Sequence, residues 1–201
     1  MKRHWRNETK QILEKLEKLT ADRERKLAHR RNIGFKTVSI IGYTNAGKTT
    51  LFNRLAKKNK LAANVLFATL DSSVGKLFLP QSRREVLVTD TIGFIQNLPP
   101  QLINAFKSTL MESIHADLLL HVIDMSDPKK YEKIEVVQTI LRRLGLDTKE
   151  QIYVFNKADK GRDIITKDLA QTFNIYNPHF ISAETGEGID ILISTIEKSL
   201  T

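Results

Sequence analysis

The chain has 201 residues, enough for one globular domain with a core of its own, and 41% of them are hydrophobic. No apolar stretch reaches the roughly 18 residues that a membrane span requires, and the charged first residues do not resemble a secretory signal. The sequence contains no cysteine, which excludes disulfides, thiolate zinc sites and lipid attachment through a thiol. These features together predict a cytoplasmic protein without a membrane anchor.

The formal net charge of +9 is the one unusual bulk property. Charge informs about partners rather than about the fold. A value this high is compatible with a soluble domain that carries a basic tail, and it also indicates contact with a polyanion, of which RNA is the leading candidate. An anionic membrane surface is disfavoured, because no Trp-rich amphipathic helix accompanies the charge.

Residues 1–32 are predicted to form a basic linker helix. Ile12, Leu16 and Leu19 recur at helical spacing, and the second half of the segment is rich in Arg and Lys. Two interpretations of this helix remain open, a contact surface for RNA and a solvated connection between domains. Residues 33–201 follow as a single predicted domain.

From residue 36 onward, short apolar runs alternate with amphipathic stretches. This pattern predicts an α/β fold, with a mostly parallel six-stranded sheet flanked by helices on both faces. The predicted strands are 36–42, 74–79, 85–89, 118–124, 151–155 and 179–182. The predicted helices are 48–57, 100–115, 130–144, 164–173 and 189–200.

Residues 42–49 match the phosphate-binding pattern G-x-x-x-x-G-K-[ST], between a predicted strand and a predicted helix. Glycines let successive N–H groups turn inward around phosphates, and the helix that follows points its positive end at the same anion. Lys48 would contact the β- and γ-phosphates, and the Thr49 hydroxyl would bind Mg²⁺. The predicted nucleotide contacts in this loop are Gly42, Tyr43, Thr44, Asn45, Ala46, Gly47, Lys48, Thr49 and Thr50.

A D-x-x-G motif runs from Asp90 to Gly93, directly after a predicted strand. The carboxyl ends of strands are where ligands bind in open α/β sheets. Asp90 is therefore predicted to hold a Mg²⁺-bound water, and the Gly93 N–H is predicted to bind the γ-phosphate.

An N-K-x-D motif follows the fifth predicted strand. Asp159 can accept hydrogen bonds from both N1–H and the 2-amino group of guanine, a donor pair that adenine lacks, so the motif favours GTP over ATP. The stem of Lys157 is predicted to lie along the base, and Asn156 to connect this loop to the phosphate loop. Ser182 and Ala183, after the last strand, are predicted to place a backbone N–H near guanine O6. The motifs together predict a P-loop fold and a Mg²⁺-dependent protein that binds and hydrolyses GTP.

With these motifs in this order, the chain resembles the translation-factor-like GTPases and, more narrowly, the GTPase domain of the HflX family. The likeness is carried by G-Y-T-N-A-G-K-T-T-L-F-N-R-L (42–55), F-A-T-L-D (67–71), D-T-I-G-F-I-Q-N-L-P (90–99), A-F-K-S-T-L (105–110) and A-D-L-L-L-H-V-I-D-M-S-D-P (116–128). It implies a cytoplasmic GTPase that binds the large ribosomal subunit and its rRNA and separates stalled or idle ribosomes. We expect the protein to be a monomer.

The resemblance also implies that Thr69 is the switch I threonine, whose hydroxyl completes the Mg²⁺ shell when GTP is bound. Residues 1–32 are similar to the end of the helical linker of that family. Family members usually have a domain before the linker, and many have a small domain after the GTPase domain. We therefore expect the chain to be an excised fragment or a naturally short member.

Two residues bear on the rate of hydrolysis. Phe94 follows Gly93, where many switch GTPases have a glutamine that orients the attacking water, so slow intrinsic hydrolysis is predicted. Asn45 occupies the position of the asparagine that binds K⁺ in potassium-activated GTPases. It is interpreted either as a K⁺ ligand that helps to neutralise charge in the transition state or as a residue that stabilises the loop. The predicted catalytic residues are Asn45, Lys48, Thr69, Asp90 and Gly93, and the predicted metal ligands are Thr49, Thr69 and Asp90.

Two alternatives of a different kind remain. Phe94 favours a binding module that holds GTP or GDP, hydrolyses slowly and acts by docking partners. A tRNA-modification or ribosome-assembly GTPase could share the asparagine at position 45.

Overall fold

The computed structural model describes residues 25, 34–58, 73–91, 113–160, 173, 175 and 177–201. It divides into two units, 1–35 and 36–201, and every element described below belongs to the second unit. The predicted helix over residues 1–32 lies outside the described residues, except for Arg25, which is helical. Among the described residues, no helix combines the length and the apolar character that a membrane span needs.

The second unit contains six strands and three α-helices among its described residues. The strands are β1 (Thr37–Gly42), β2 (Ser73–Leu79), β3 (Arg84–Asp90), β4 (Leu118–Asp124), β5 (Gln151–Asn156) and β6 (His179–Phe180). The helices are α1 (Lys48–Ala56), α2 (Lys130–Arg143) and α3 (Ile189–Leu200), with a single 3₁₀ turn at Ala158–Lys160. The predicted helices 100–115 and 164–173 lie outside the described residues, apart from 113–115 and 173, of which 113–114 and 173 are helical.

The strands form one sheet in the order β2-β3-β1-β4-β5-β6. All neighbouring pairs are parallel except the β2–β3 hairpin, which is antiparallel. A mostly parallel six-stranded sheet is the predicted fold class, and it is confirmed. Strand β6 is shorter than predicted, because the Ser182 N–H turns away from the sheet to donate to the Glu187 carbonyl oxygen.

Helices cover both faces of the sheet, so every residue of β1 is buried. On one face Val38 and Ile40 pack with α1 and α3, and on the other Ile41 packs with α2. The parallel register brings the carboxyl ends of the inner strands to one edge, with Ile40 beside Asp90 and Asp124 beside Asn156. The predicted site residues follow these strand ends.

Candidate nucleotide-binding site

The loop between β1 and α1 needs glycine at both of its ends. Gly42 has φ +145°, and a Cβ there would lie 2.3 Å from the Val122 carbonyl oxygen. Gly47 has φ +91°, and its Cβ would lie 2.2 Å from Asn156 Nδ2. A side chain at either position would force apart backbone or a buried amide, so the two glycines of the motif are required by this packing.

Lys48 lies in the first turn of α1 with its side chain buried. Its Nζ donates a hydrogen bond to the Tyr43 carbonyl oxygen at 2.8 Å, so the ammonium lies within the loop. Burial lowers the pKa of Lys48 to about 8, although the nearby Asp90 carboxylate favours the charged form. An anion that entered the loop would favour the ammonium further.

A hydroxyl and a carboxylate meet beside this lysine. Thr49 Oγ1 donates to Asp90 Oδ2 at 3.0 Å, and Asp90 is fully buried at the end of β3. The next residue, Thr91, donates its hydroxyl to the Ile40 carbonyl oxygen at 2.6 Å, which holds the end of β3 against β1. The position of Asp90 relative to the phosphate loop is therefore set by two strands and one buried hydrogen bond.

Asn156 connects three segments of the site. Its Nδ2 donates to the Ala46 carbonyl oxygen at 2.9 Å, and its Oδ1 accepts from the Ala183 N–H at 2.9 Å. The side chain is buried, at 2% exposure. The predicted connection between the N-K-x-D loop and the phosphate loop is present, and it extends to the segment after β6. In this structure the Ala183 N–H is therefore engaged by Asn156.

Lys157, the residue after Asn156, also contacts the phosphate loop. Its Nζ contacts Asp124 Oδ2 at 2.6 Å and donates to the Asn45 carbonyl oxygen at 3.0 Å. Lys157 and Asn45 both have positive φ, +66° and +64°. Asp124 also accepts from the Ser126 N–H and hydroxyl, so its orientation is fixed from two directions. The ammonium of Lys157 thus links the end of β4 to the phosphate loop.

Asp159 is exposed in the 3₁₀ turn after β5. A hydrogen bond with the Ser182 side chain holds the pKa of Asp159 below its ordinary value, in spite of the opposing effect of desolvation. The carboxylate is therefore ionised at neutral pH and can accept hydrogen bonds. Ser182 and Ala183 are both buried next to it in the chain segment after β6.

The structure thus brings most of the predicted site to one edge of the sheet. The exceptions are Thr69, Gly93 and Phe94, which lie outside the described residues. His121, on β4, is also buried near Lys48, and burial followed by the charge of Lys48 lowers its pKa to about 3. His121 is therefore neutral at physiological pH and unsuited to a role as a general acid.

Two side chains at this edge were missed by the sequence reasoning. Asp124 ends β4 as Asp90 ends β3, so its position after an apolar strand was an available signal. Arg54 of α1 donates from Nε to the Ala183 carbonyl oxygen at 3.2 Å, and from Nη2 to that of Glu184. Nothing in the local sequence pattern indicates this contact, since the partners are about 130 residues apart.

Several known GTPases are similar to this chain. A family model described as 50S ribosome-binding GTPase matches residues 37–157. The GTPase HflX of Caldanaerobacter subterraneus subsp. tengcongensis is 46% identical, over 99% of this chain and 45% of that protein. The GTPase HflX of Escherichia coli strain K12 is 40% identical, over 98% of this chain and 46% of that protein. The chain thus spans less than half the length of these relatives.

Solved structures show the same fold. A GTP-binding protein from the hyperthermophilic archaeon Sulfolobus solfataricus, in complex with GDP, superposes with a TM-score of 0.65 at 29% identity, over 82% of this chain and 52% of that one. Era of Aquifex aeolicus, bound to GDP and AlF4⁻, gives a TM-score of 0.65 at 23% identity, over 81% and 56%. The Era likeness concerns the fold alone. By the family model and the extent of these identities, the chain belongs to the HflX family of GTPases.

Proposed function

We propose that this domain binds GTP together with Mg²⁺ and hydrolyses the nucleotide to GDP and phosphate. The observation that carries the proposal is the set of direct hydrogen bonds that joins the phosphate loop to the N-K-x-D loop through Asn156 and Lys157. A site for a nucleotide needs its phosphate end and its base end at a fixed separation, and these contacts provide it. The HflX relatives and the GTP-binding protein solved in complex with GDP support the same assignment.

In the described part of the chain, we propose that Thr49 binds Mg²⁺ through its hydroxyl and that Asp90 holds the ion through a Mg²⁺-bound water. Their oxygens are 3.0 Å apart, and a hydroxyl with a carboxylate suits a hard cation. No group of three His, Cys, Asp or Glu side chains among the described residues could hold a metal. Mg²⁺ takes few protein ligands and completes its shell with water and phosphate oxygens. Bound Mg²⁺ would neutralise charge on the β- and γ-phosphates, and Thr69 is the proposed ligand from switch I.

The chain itself would bind the phosphates through Lys48 and the loop N–H groups. The Lys48 ammonium lies inside the loop, in a buried and therefore low-dielectric setting, where its attraction for an anion is strong. The Gly93 N–H is the proposed γ-phosphate contact from switch II. Since Phe94 cannot orient water by hydrogen bonding, intrinsic hydrolysis is expected to be slow.

Asp159 supplies the test of base specificity. Asp159→Asn should weaken GTP binding roughly 10- to 100-fold, because a charge-assisted pair of hydrogen bonds is lost, and should raise the relative affinity for XTP. Asp147→Asn, at an exposed carboxylate after α2, is the matched control. Titration of both variants with fluorescent GTP and XTP analogues measures the effect. Unchanged GTP affinity in Asp159→Asn would remove the guanine assignment.

We also propose K⁺ as an activator bound through Asn45, which is exposed at the tip of the loop. Phosphate release should then be faster in KCl than in NaCl at equal ionic strength. Asn45→Ala should abolish most of this stimulation, since one preorganised charge-stabilising contact contributes about 10²–10³-fold in rate. If the wild-type domain hydrolyses GTP at equal rates in the two salts, activation by K⁺ is refuted. Asn45 would then have only a loop-stabilising role.

For the whole protein, we propose a cytoplasmic location and binding to the large ribosomal subunit. The family model is described as 50S ribosome-binding GTPase, and the chain carries a net charge of +9. Sedimentation with 50S particles should show affinity that falls steeply with salt, and deletion of residues 1–31 should flatten that dependence. Binding to tRNA instead of 50S particles would favour a tRNA-modification GTPase. Absence of hydrolysis with and without ribosomes would favour a docking module.

A further inference from the structure

Arg54 contacts the segment that the proposed function places beside the guanine base. Its guanidinium donates to the Ala183 carbonyl oxygen at 3.2 Å and to the Glu184 carbonyl oxygen. Thr50, a proposed nucleotide contact one turn earlier in α1, lines the same open depression as Arg54 and these two residues. A cation of the phosphate-loop helix therefore reaches the base side of the site, although it lies outside the G-x-x-x-x-G-K-[ST] and N-K-x-D motifs.

Ala183 and Glu184 belong to a turn at residues 182–186. Asn156 Oδ1 also holds this turn, because it accepts a hydrogen bond from the Ala183 N–H. Inside the turn, the Thr185 N–H donates to Ser182 Oγ at 3.1 Å and the Gly186 N–H to the Ser182 carbonyl oxygen at 2.8 Å. Among the described residues, the Glu184 N–H is left as the donor of this turn without a protein acceptor. Guanine O6 is an acceptor that this N–H could bind.

Peptide planarity connects Arg54 to that donor. The Ala183 carbonyl and the Glu184 N–H belong to one peptide group, and in a trans peptide they point in opposite directions. Fixing the carbonyl toward Arg54 therefore aims the Glu184 N–H away from Arg54. Gly186 allows this approach, since it has φ +98° and a Cβ there would lie 3.3 Å from Arg54 Nη1.

We propose that Arg54 is a positioning residue for guanine recognition, which orients the Glu184 N–H toward O6 of the bound base. The proposal rests on the proposed function, because it assumes a guanine nucleotide in this site. It assigns to α1 a role in base selectivity in addition to its role at the phosphates. Arg54 itself does not contact the nucleotide in this scheme.

Calorimetry with GDP and 6-thio-GDP tests the link between Arg54 and O6. The thio analogue keeps N1–H and the 2-amino group, and it replaces O6 by sulfur, a weak acceptor. Wild type should bind 6-thio-GDP about 10-fold more weakly than GDP. Arg54→Ala should weaken GDP binding about 5- to 10-fold and leave 6-thio-GDP binding nearly unchanged, since the contact it supports is already lost. Arg54→Lys should restore part of the GDP affinity.

The controls separate positioning from general stability. Lys57→Ala removes another exposed cation from the same depression and should leave the GDP to 6-thio-GDP ratio at the wild-type value. Asp159→Asn should weaken both nucleotides by the same factor. If Arg54→Ala weakens GDP and 6-thio-GDP equally, or if wild type binds the two equally, the positioning role is refuted while GDP binding stands. Failure of wild type to bind GDP at all would refute the proposed function instead.

Discussion

Asn156→Ala should destabilise the domain even when no nucleotide is bound. The side chain is 2% exposed and makes two hydrogen bonds of 2.9 Å, to the Ala46 carbonyl and from the Ala183 N–H. Each buried partner left without a hydrogen bond costs about 1–3 kcal/mol. We expect a loss of roughly 2–4 kcal/mol in the free energy of unfolding, because a water molecule can enter the space and satisfy one partner.

The Asn156→Asp variant tests the two hydrogen bonds separately. The carboxylate keeps an acceptor for the Ala183 N–H, but it places a second oxygen against the Ala46 carbonyl, so it should be no more stable than the alanine variant. Urea unfolding of the nucleotide-free domain measures the free energy of unfolding of both Asn156 variants. Asn177→Ala, at an exposed asparagine before β6, is the control and should change stability by less than about 0.5 kcal/mol. An Asn156→Ala variant as stable as this control would refute the structural role.

Gly47→Ala should abolish binding of both GDP and GTP, because its Cβ would collide with the Asn156 side chain. Gly145→Ala is the control: Gly145 also has positive φ, but a Cβ there would have no atom within 4 Å, so the variant should lose only about 1–2 kcal/mol of stability and no affinity. Nucleotide titration and urea unfolding distinguish the two variants. Nucleotide binding should raise the pKa of Lys48 from about 8, so calorimetry in buffers of different ionisation enthalpy should show proton uptake at pH 8 and almost none at pH 6. If no proton uptake occurs at either pH, the lowered pKa of Lys48 is contradicted. Glu197 of α3 is buried, which would raise its pKa, but hydrogen bonds from Ser82 and Gln81 hold the pKa below the ordinary 4.5. Wild type should therefore exceed Glu197→Gln in stability at neutral pH, and urea midpoints of the two should converge as the pH falls below about 4.5. A constant difference would contradict the assignment.

The strands that position the site could be predicted because they are buried on both faces. Such strands appear as short, nearly continuous apolar runs, and β4 has the predicted bounds 118–124 while β5 extends one residue beyond the predicted 151–155. The site motifs follow directly from these strands, so their meeting at one edge was also predictable. Strand β6 was predicted too long, because an apolar pattern cannot distinguish a strand residue from a buried residue just beyond the end of the strand, such as Ile181.

Apart from the connection that Asn156 makes to the phosphate loop, the individual contacts across the site could not be predicted, because they depend on the three-dimensional packing of the loops and strands. Lys48 donates to Tyr43 within the loop, and Lys157 reaches both Asp124 and the Asn45 carbonyl oxygen. No spacing rule links these residues, since two of the pairs are separated by 33 and 112 positions in the chain. Thr69, Gly93 and Phe94 lie outside the described residues, so their roles stay predictions.

Arg54 and Asn156 act on neighbouring peptide groups of one turn, and this has a consequence for how their effects combine. Asn156 holds the Ala183 N–H, and Arg54 holds the carbonyl of the same residue. Once either contact is removed, the peptide groups of the turn should be able to rotate. The remaining contact then restrains the orientation of the turn less than it does in the wild type. Their contributions to GDP affinity should therefore be non-additive, with the double variant weaker by less than the product of the single effects. Because Asn156 also donates to the Ala46 carbonyl oxygen, we expect the non-additivity to include variants of the phosphate loop.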